Sequence, residues 1–284
     1  MERPPIIVDS HVHFWDVKRF RYSWLASIPA LNRSFLPEDF ALASNGENVK
    51  KLIFVESGCD PLQGLAAVDW AVELAKTESR LKAIVAHAAL EKGLAASAEL
   101  EALAKRPLVK GVRRLLQDET DSAFCLRPDF IVGVQLLADF GFTFDLCVRH
   151  NQLRNVVELV RRVPQVTFVL DHCGKPDVRG GKVEPWATDL RALASLPNVV
   201  CKLSGLTTEA NWSKWQAKDL EEYFRSVLKF FGFDRILFGG DWPVATLATN
   251  YGRWVETVQD MVSSASDADR LKLFQTNAER IYRV

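Results

Sequence analysis

The chain has 284 residues, 48% apolar and 25% charged, with 36 Lys and Arg against 36 Asp and Glu for a formal net charge of zero. Balanced charge gives no global field to gather nucleic acid or an anionic membrane, and no run reaches the roughly 20 apolar residues that span a bilayer, so a small-molecule partner is expected. The cysteines, Cys59, Cys125, Cys147, Cys173 and Cys201, are scattered, odd in number and never spaced C-x-x-C; neither a disulfide framework nor a thiolate zinc site is indicated, and a reducing cytoplasm fits best.

The N-terminal run Met1-Glu2-Arg3-Pro4-Pro5 lacks a long apolar core and reads as a lead into the first strand, not a signal peptide. That strand is expected at residues 6–9, continuing into Asp9-Ser10-His11-Val12-His13. Two residues apart on a strand, the imidazoles of His11 and His13 share one side, an arrangement that suits a divalent cation. Residues 14–48 show no convincing regular element but carry Phe14, Trp15, Phe20, Tyr22, Trp24 and Phe35. A connection this long reads as a lid or binding loop, or as a hydrophobic plug of the barrel mouth, and the two roles are compatible.

Further strands are expected at 51–56, 81–87, 109–116 and 142–149, with a helix at 65–76 whose Val68, Ala71, Val72 and Ala75 form an apolar stripe. His87 lies in an apolar run and is expected to be a core histidine with one hydrogen bond. Arg113 and Arg114 are adjacent, so only one points inward. Asp145 and Arg149 share the inward parity of the fifth strand, and His150 is one residue out of step. Strand 166–172 ends at His172, before the turn Cys173-Gly174-Lys175-Pro176. Strand 199–204 puts Lys202 and Ser204 on one face, which should line the interior because apolar helices cover the outside. Strand 235–239 leads into Asp241-Trp242-Pro243. Helical spacing recurs at 153–163, 185–196, 220–231, 251–262 and 267–282, and the charged stretch 214–225 reads as a solvated helix face.

Eight strands with intervening helices and no polar linker imply an α/β fold, a closed parallel (β/α)8 TIM-like barrel in one domain over residues 1–284. A doubly wound sheet would carry a glycine-rich phosphate turn after an early strand, and none is present. In a barrel the strand C-termini form the active face. His11, His13, His172 and Asp241 stand at three such ends, too many to attribute to chance.

The H-x-H pair, the strand-six histidine and the aspartate of Gly-x-Asp-Trp-Pro resemble the amidohydrolase superfamily. His11-Val-His-Phe-Trp15, Gly111-Val-Arg113, Leu170-Asp-His-Cys-Gly-Lys-Pro176, Cys201-Lys-Leu-Ser-Gly205 and Phe238-Gly-Gly-Asp-Trp-Pro243 are similar, more narrowly, to its sugar-lactone hydrolase branch. That branch includes L-fuconolactonase, L-rhamnonolactonase and 2-pyrone-4,6-dicarboxylate lactonase, and the resemblance runs over residues 7–283. It implies hydrolysis of a sugar-derived (aldonic) lactone to the open-chain acid. His11, His13, His172 and Asp241 would surround one divalent cation, zinc by preference, or act without metal as in the pyrone-dicarboxylate relative. Asp241 would move the water proton, with His172 and Arg113 as further catalytic groups and Arg113 and Lys202 as oxyanion donors. Trp24, His150, Lys202 and Trp242 would contact substrate, the tryptophans by stacking on a sugar ring. Core packing is the other reading of Trp242, and a buried ion pair that of Lys202. Lys110 sits too low on strand four to bridge two metals, so a binuclear centre is not expected. Arg113, Arg149 and Arg179 aside, the site is not crowded with arginines, which disfavours a dicarboxylate substrate. Two other readings are a non-hydrolytic decarboxylase of the same barrel, acting on an aromatic or muconate acid, and a sugar-acid binder without turnover.

Overall fold

Apolar β-branched runs separated by amphipathic helices bury both faces of a parallel sheet only when the sheet is wrapped by its own crossover helices. The computed structural model, which describes residues 5–284, realises this with eight parallel strands paired in chain order. They are β1 (Ile7–Val12), β2 (Val49–Val55), β3 (Leu81–His87), β4 (Val109–Arg113), β5 (Thr143–Leu146), β6 (Phe168–Leu170), β7 (Val199–Leu203) and β8 (Ile236–Phe238). One helix follows each strand: α1 (Pro37–Ala43), α2 (Gly64–Thr77), α3 (Ser97–Ala104), α4 (Pro128–Leu136), α5 (Leu153–Arg162), α6 (Trp186–Ala194), α7 (Ala217–Phe231) and α8 (Tyr251–Met261). The short helices α9 (Asp267–Leu271) and α10 (Asn277–Tyr282) end the chain. The reading of the N-terminal lead falls mainly on residues 1–4, outside the described residues. No helix among the described residues is long and apolar enough to cross a membrane.

Helices α1, α3 and α4 are absent from the sequence reading, and the expected helix 267–282 is interrupted by a wide π turn at Lys272–Thr276. The α4 sequence, Pro-Asp-Phe-Ile-Val-Gly-Val-Gln-Leu, is rich in β-branched residues, so its helix reflects tertiary packing over local preference. Its Gly133 lies against the Leu90 backbone so closely that a methyl group there would stand 2.0 Å from a carbonyl oxygen. The connection 14–48 is better ordered than expected. Trp15 pairs with Phe35 through reciprocal backbone hydrogen bonds of 3.0 and 2.9 Å, and Phe14, Trp15, Phe20, Tyr22, Phe35 and Phe40 are buried. The plug reading therefore describes its packing.

The barrel interior follows a period of two. Val8, Ile53, Val55, Ala83, Val85, Val169, Val200 and Leu237 meet Ala278, Ile281 and Tyr282 of α10 in one cluster, which closes the end of the barrel opposite the active face. Above this apolar layer the same parity brings in Arg113, Asp145, Asp171 and Lys202, all buried.

The seam between β8 and β1 is closed at the mouth by backbone bonds, Asp241 N–H to the His11 carbonyl at 2.8 Å and His13 N–H to the Trp242 carbonyl at 2.7 Å. Below them, the buried Asp9 carboxylate accepts from the N–H groups of His11 (3.0 Å) and Gly240 (2.8 Å) and from the Tyr251 hydroxyl of α8 (2.8 Å). Ser10 Oγ donates to the Phe238 carbonyl at 2.6 Å. Removing this carboxylate leaves several buried donors without an acceptor. Asp9→Ala is therefore expected to lower stability by about 2–4 kcal/mol in urea unfolding, and Tyr251→Phe by about 1 kcal/mol.

Candidate active site

Strict alternation from the inward Val8 would turn His11 outward. The β1–β2 register shifts between Asp9 and Val12, and this irregularity aims His11 and His13 at the barrel axis. His172 and Asp241 arrive by another device. Both lie just past a strand end in the left-handed region (φ 52° for each), a conformation costing a non-glycine residue of order 1–2 kcal/mol. These turns also shorten the strands, so β6 and β8 stop at Leu170 and Phe238 instead of running to His172 and Gly239. Gly205 leaves room for the His172 ring, since a Cβ there would stand 2.6 Å from its Nδ1.

The four side chains converge. His11 Nε2 is 3.1 Å from His13 Nε2, and Asp241 Oδ1 is 3.6 Å from His13 Nε2 and 3.8 Å from Nε2 of both His11 and His172. The outer ring nitrogens are tied back. His13 Nδ1 donates to the Val55 carbonyl at 2.8 Å, which turns its Nε2 toward the centre; His172 Nδ1 is 2.9 Å from Ser204 Oγ. Burial drives the His11 imidazole well below its ordinary value and His172 down to about 4, so both rings are neutral near pH 7. Burial would raise the Asp241 carboxyl, but contact with His172, His13 and His11 outweighs it and holds the group well below the usual range. No lysine or arginine pairs with this ionised carboxylate among the described residues.

These donors fit a divalent cation. A tetrahedral ion with bonds of about 2.0–2.1 Å needs ligands roughly 3.3–3.4 Å apart, close to the observed spacings. His11 Nε2 and His13 Nε2 stand 3.1 Å apart, and Asp241 adds a negative charge to this donor set. Cys147, Asp171 and His172 form a second donor group within 4.8 Å, but the Asp171 oxygens face Lys202 and Arg113, so the Asp241 group is the better site.

Beneath the imidazoles lies a layer of paired charges. Arg113 Nε donates to Glu56 Oε1 at 2.8 Å, Nη1 to Asp171 Oδ2 at 3.2 Å, and Nη2 to the Glu56 carbonyl; Nη1 also lies 3.3 Å from His11 Nε2. Lys202 Nζ meets Asp145 Oδ2 at 2.5 Å and Asp171 Oδ1 at 3.0 Å, and the Tyr282 hydroxyl donates to Asp145 at 2.8 Å. This corrects several expectations. Lys202 is fully buried and spent on two carboxylates, so it is the structural ion pair and neither a substrate contact nor an oxyanion donor. Arg113 would have to leave Glu56 to serve an oxyanion. Trp242 is packed edge-on against Phe14, Phe35 and Phe40 at 5.2–5.9 Å and offers no ring face to a sugar. His87 is half-buried, not a core residue, and lines a cavity of about 860 Å³ with Glu56, Tyr22 and Arg114 beside the cluster. Arg149 is exposed and bonded to Asp118 at 3.0 Å.

Trp24 remains half-buried under the mouth, its indole N–H donating to the Ser57 carbonyl at 2.8 Å, and half-buried His150 donates from Nδ1 to the Lys175 carbonyl at 3.0 Å. Glu56, Asp171 and Tyr282 were not singled out in the sequence. Asp171 was not legible by alternation, because an inward His172 turns its neighbour outward on a regular strand; the left-handed turn at His172 lets both face the interior. Tyr282 was not legible either, because only the closed barrel brings the C-terminus under β5.

A family model described as amidohydrolase matches residues 8–284. An L-fucono-1,5-lactonase of Burkholderia multivorans is 34% identical, covering 97% of this chain and 95% of that protein. The L-fucono-1,5-lactonase of Burkholderia ambifaria is 31% identical over 98% and 95%. A crystal structure of an amidohydrolase from Burkholderia multivorans with bound zinc superposes with a TM-score of 0.88 at 33% identity, covering 99% of this chain and 100% of that one.

A folded-state value of about 4 against an ordinary 6.5 means that the unfolded chain binds this proton first, so His172 costs stability as the pH falls from 6.5 toward 4. Urea midpoints of the metal-free protein should decline less steeply across that window in His172→Asn than in the wild type; parallel slopes would contradict the assignment.

Proposed function

We propose, starting from the fact that this chain belongs to the amidohydrolase family, that it hydrolyses a sugar-derived aldonic lactone to the open-chain acid with water activated at Asp241. The observation that carries the reading is the convergence of one ionised carboxylate and three imidazole Nε2 atoms on a single small volume at the active face. The two lactonase relatives, matched over nearly their whole length, narrow the substrate to a sugar lactone.

His11, His13, His172 and Asp241 would hold one divalent cation, and the zinc of the related structure makes zinc the first choice. When bound there, such an ion polarises a carbonyl and brings the pKa of water toward about 7. Asp241 accepts the proton of the attacking water as the new C–O bond forms. The ring C–O bond then breaks, and the same carboxyl returns the proton to the departing alkoxide, leaving the acid and a free hydroxyl. Ser204 and the Val55 carbonyl keep two of the rings aimed while this happens. Trp24 and His150, at the mouth, are the side chains placed to meet the sugar hydroxyls and ring face.

Lactone opening releases a proton and decarboxylation releases carbon dioxide, so one assay separates the two readings. A panel including L-fucono and L-rhamnono lactones should show enzyme-dependent acid release. Asp241→Asn should lower it by at least about 10²-fold, and chelation should abolish activity that zinc restores. No acceleration over spontaneous hydrolysis, or equal rates in wild type and Asp241→Asn, would overturn the proposal. Carbon dioxide from a hydroxybenzoate would favour the decarboxylase. Trp24→Ala should raise KM with little change in kcat.

A further inference from the structure

Three polar atoms stand in a triangle under the cluster. His11 Nδ1 is 3.3 Å from Asp171 Oδ1 and 3.2 Å from Lys202 Nζ, and the latter two are 3.0 Å apart. All three residues are fully buried, so no bulk water relieves a mismatch among them. Nδ1 has a single use. With a proton it donates to Asp171; without one it accepts from the Lys202 ammonium. The choice decides the other nitrogen, because a neutral imidazole carries its proton on one side only. If Lys202 holds Nδ1, the proton sits on Nε2, aimed at His13, and His11 presents no lone pair to the cluster. Asp171 Oδ1 is, in addition, the buried side-chain oxygen that lacks a well-directed hydrogen-bond donor among the described residues, although the lysine charge is near. His11 Nδ1 lies 3.3 Å from this oxygen and would donate to it after a small turn of the ring, whereas the directed contact at Nδ1 is the one with Lys202 Nζ at 3.2 Å.

We infer that Asp171 is a positioning residue for the cation site: it takes the Nδ1 proton of His11 and so turns the Nε2 lone pair toward His13, His172 and Asp241, against the competing donor Lys202. Its other oxygen accepts from Arg113 Nη1 at 3.2 Å, which fixes the carboxylate plane through the Glu56–Arg113 pair. Lys202 is clamped by Asp145 at 2.5 Å, so the ammonium cannot follow the ring if Asp171 changes. His13 needs no such residue, because the Val55 carbonyl can only accept. His172 is held by a hydroxyl that can donate or accept, so among the three rings His11 alone faces a direct contest between a cation and an anion. The inference rests on the reading that the three Nε2 atoms receive a divalent cation.

Partners that orient a metal-binding imidazole are worth about 10- to 100-fold in affinity. Asp171→Asn keeps the volume but offers an amide, and Lys202 should then take Nδ1. Zinc dissociation constants from chelator competition should be weaker by that factor in Asp171→Asn. Tyr282→Phe, which loosens the same charge layer through Asp145 without touching His11, should bind zinc within about threefold of wild type. Nitrogen-15 spectra of the metal-free wild type should show His11 protonated at Nδ1; this measurement needs no variant and stands even if Asp171→Asn fails to fold. Zinc bound by Asp171→Asn as tightly as by wild type, or an unprotonated Nδ1 on His11 in the metal-free enzyme, overturns the inference alone. No zinc binding by wild type overturns the cation reading and this inference with it.

Discussion

The interaction on which the rest depends is the pairing of Arg113 and Lys202 with Glu56, Asp145 and Asp171 inside a closed barrel. Charges taken out of water cost several kcal/mol each unless every one is met by a partner of good geometry. The five side chains come from the ends of β2, β4, β5, β6 and β7, so satisfying them fixes the relative heights of those strands. His11 rests directly on this layer. A one-residue slip in any of these strands would unpair a buried charge and move a ring out of reach of Asp241.

The site uses ordinary strand geometry only for its floor. Its reactive residues sit where geometry is broken: a register shift in β1 aims His11 and His13, and left-handed residues deliver His172 and Asp241. Strain of this kind persists when surrounding contacts over-determine it. Here the Asp9 clasp, the backbone bonds across the β8–β1 seam and the packing of Trp242 among phenylalanines do so. Stability at the seam and precision at the site are thus the same set of contacts.

Much of this was legible in the sequence because period two and strand-end placement are local signals. His11, His13, His172 and Asp241 were found that way; His11, His172 and Asp241 form one donor group, and His13 reaches it through His11 at 3.1 Å and Asp241 at 3.6 Å. What local signals miss is where an inward side chain spends its charge. Lys202 carries the right parity, and Arg113, singled out by resemblance, the right chemistry for substrate, yet both are consumed by carboxylates that only the closed barrel brings near. Trp242 follows a reactive residue and looks like a stacking platform, but the connection 14–48 folds back over it. Helix α4 was hidden by its own β-branched composition, and α3 by its brevity.

The central claim is that three imidazoles and one carboxylate act on a single carbonyl around one cation. Anomalous X-ray scattering at the zinc edge, from crystals soaked with an aldonic acid, tests it most directly. The account requires one strong peak bounded by the Nε2 atoms of His11, His13 and His172, with the acid's carboxylate beside Asp241. A peak elsewhere, or an acid bound away from Asp241 with the four side chains untouched, would contradict it.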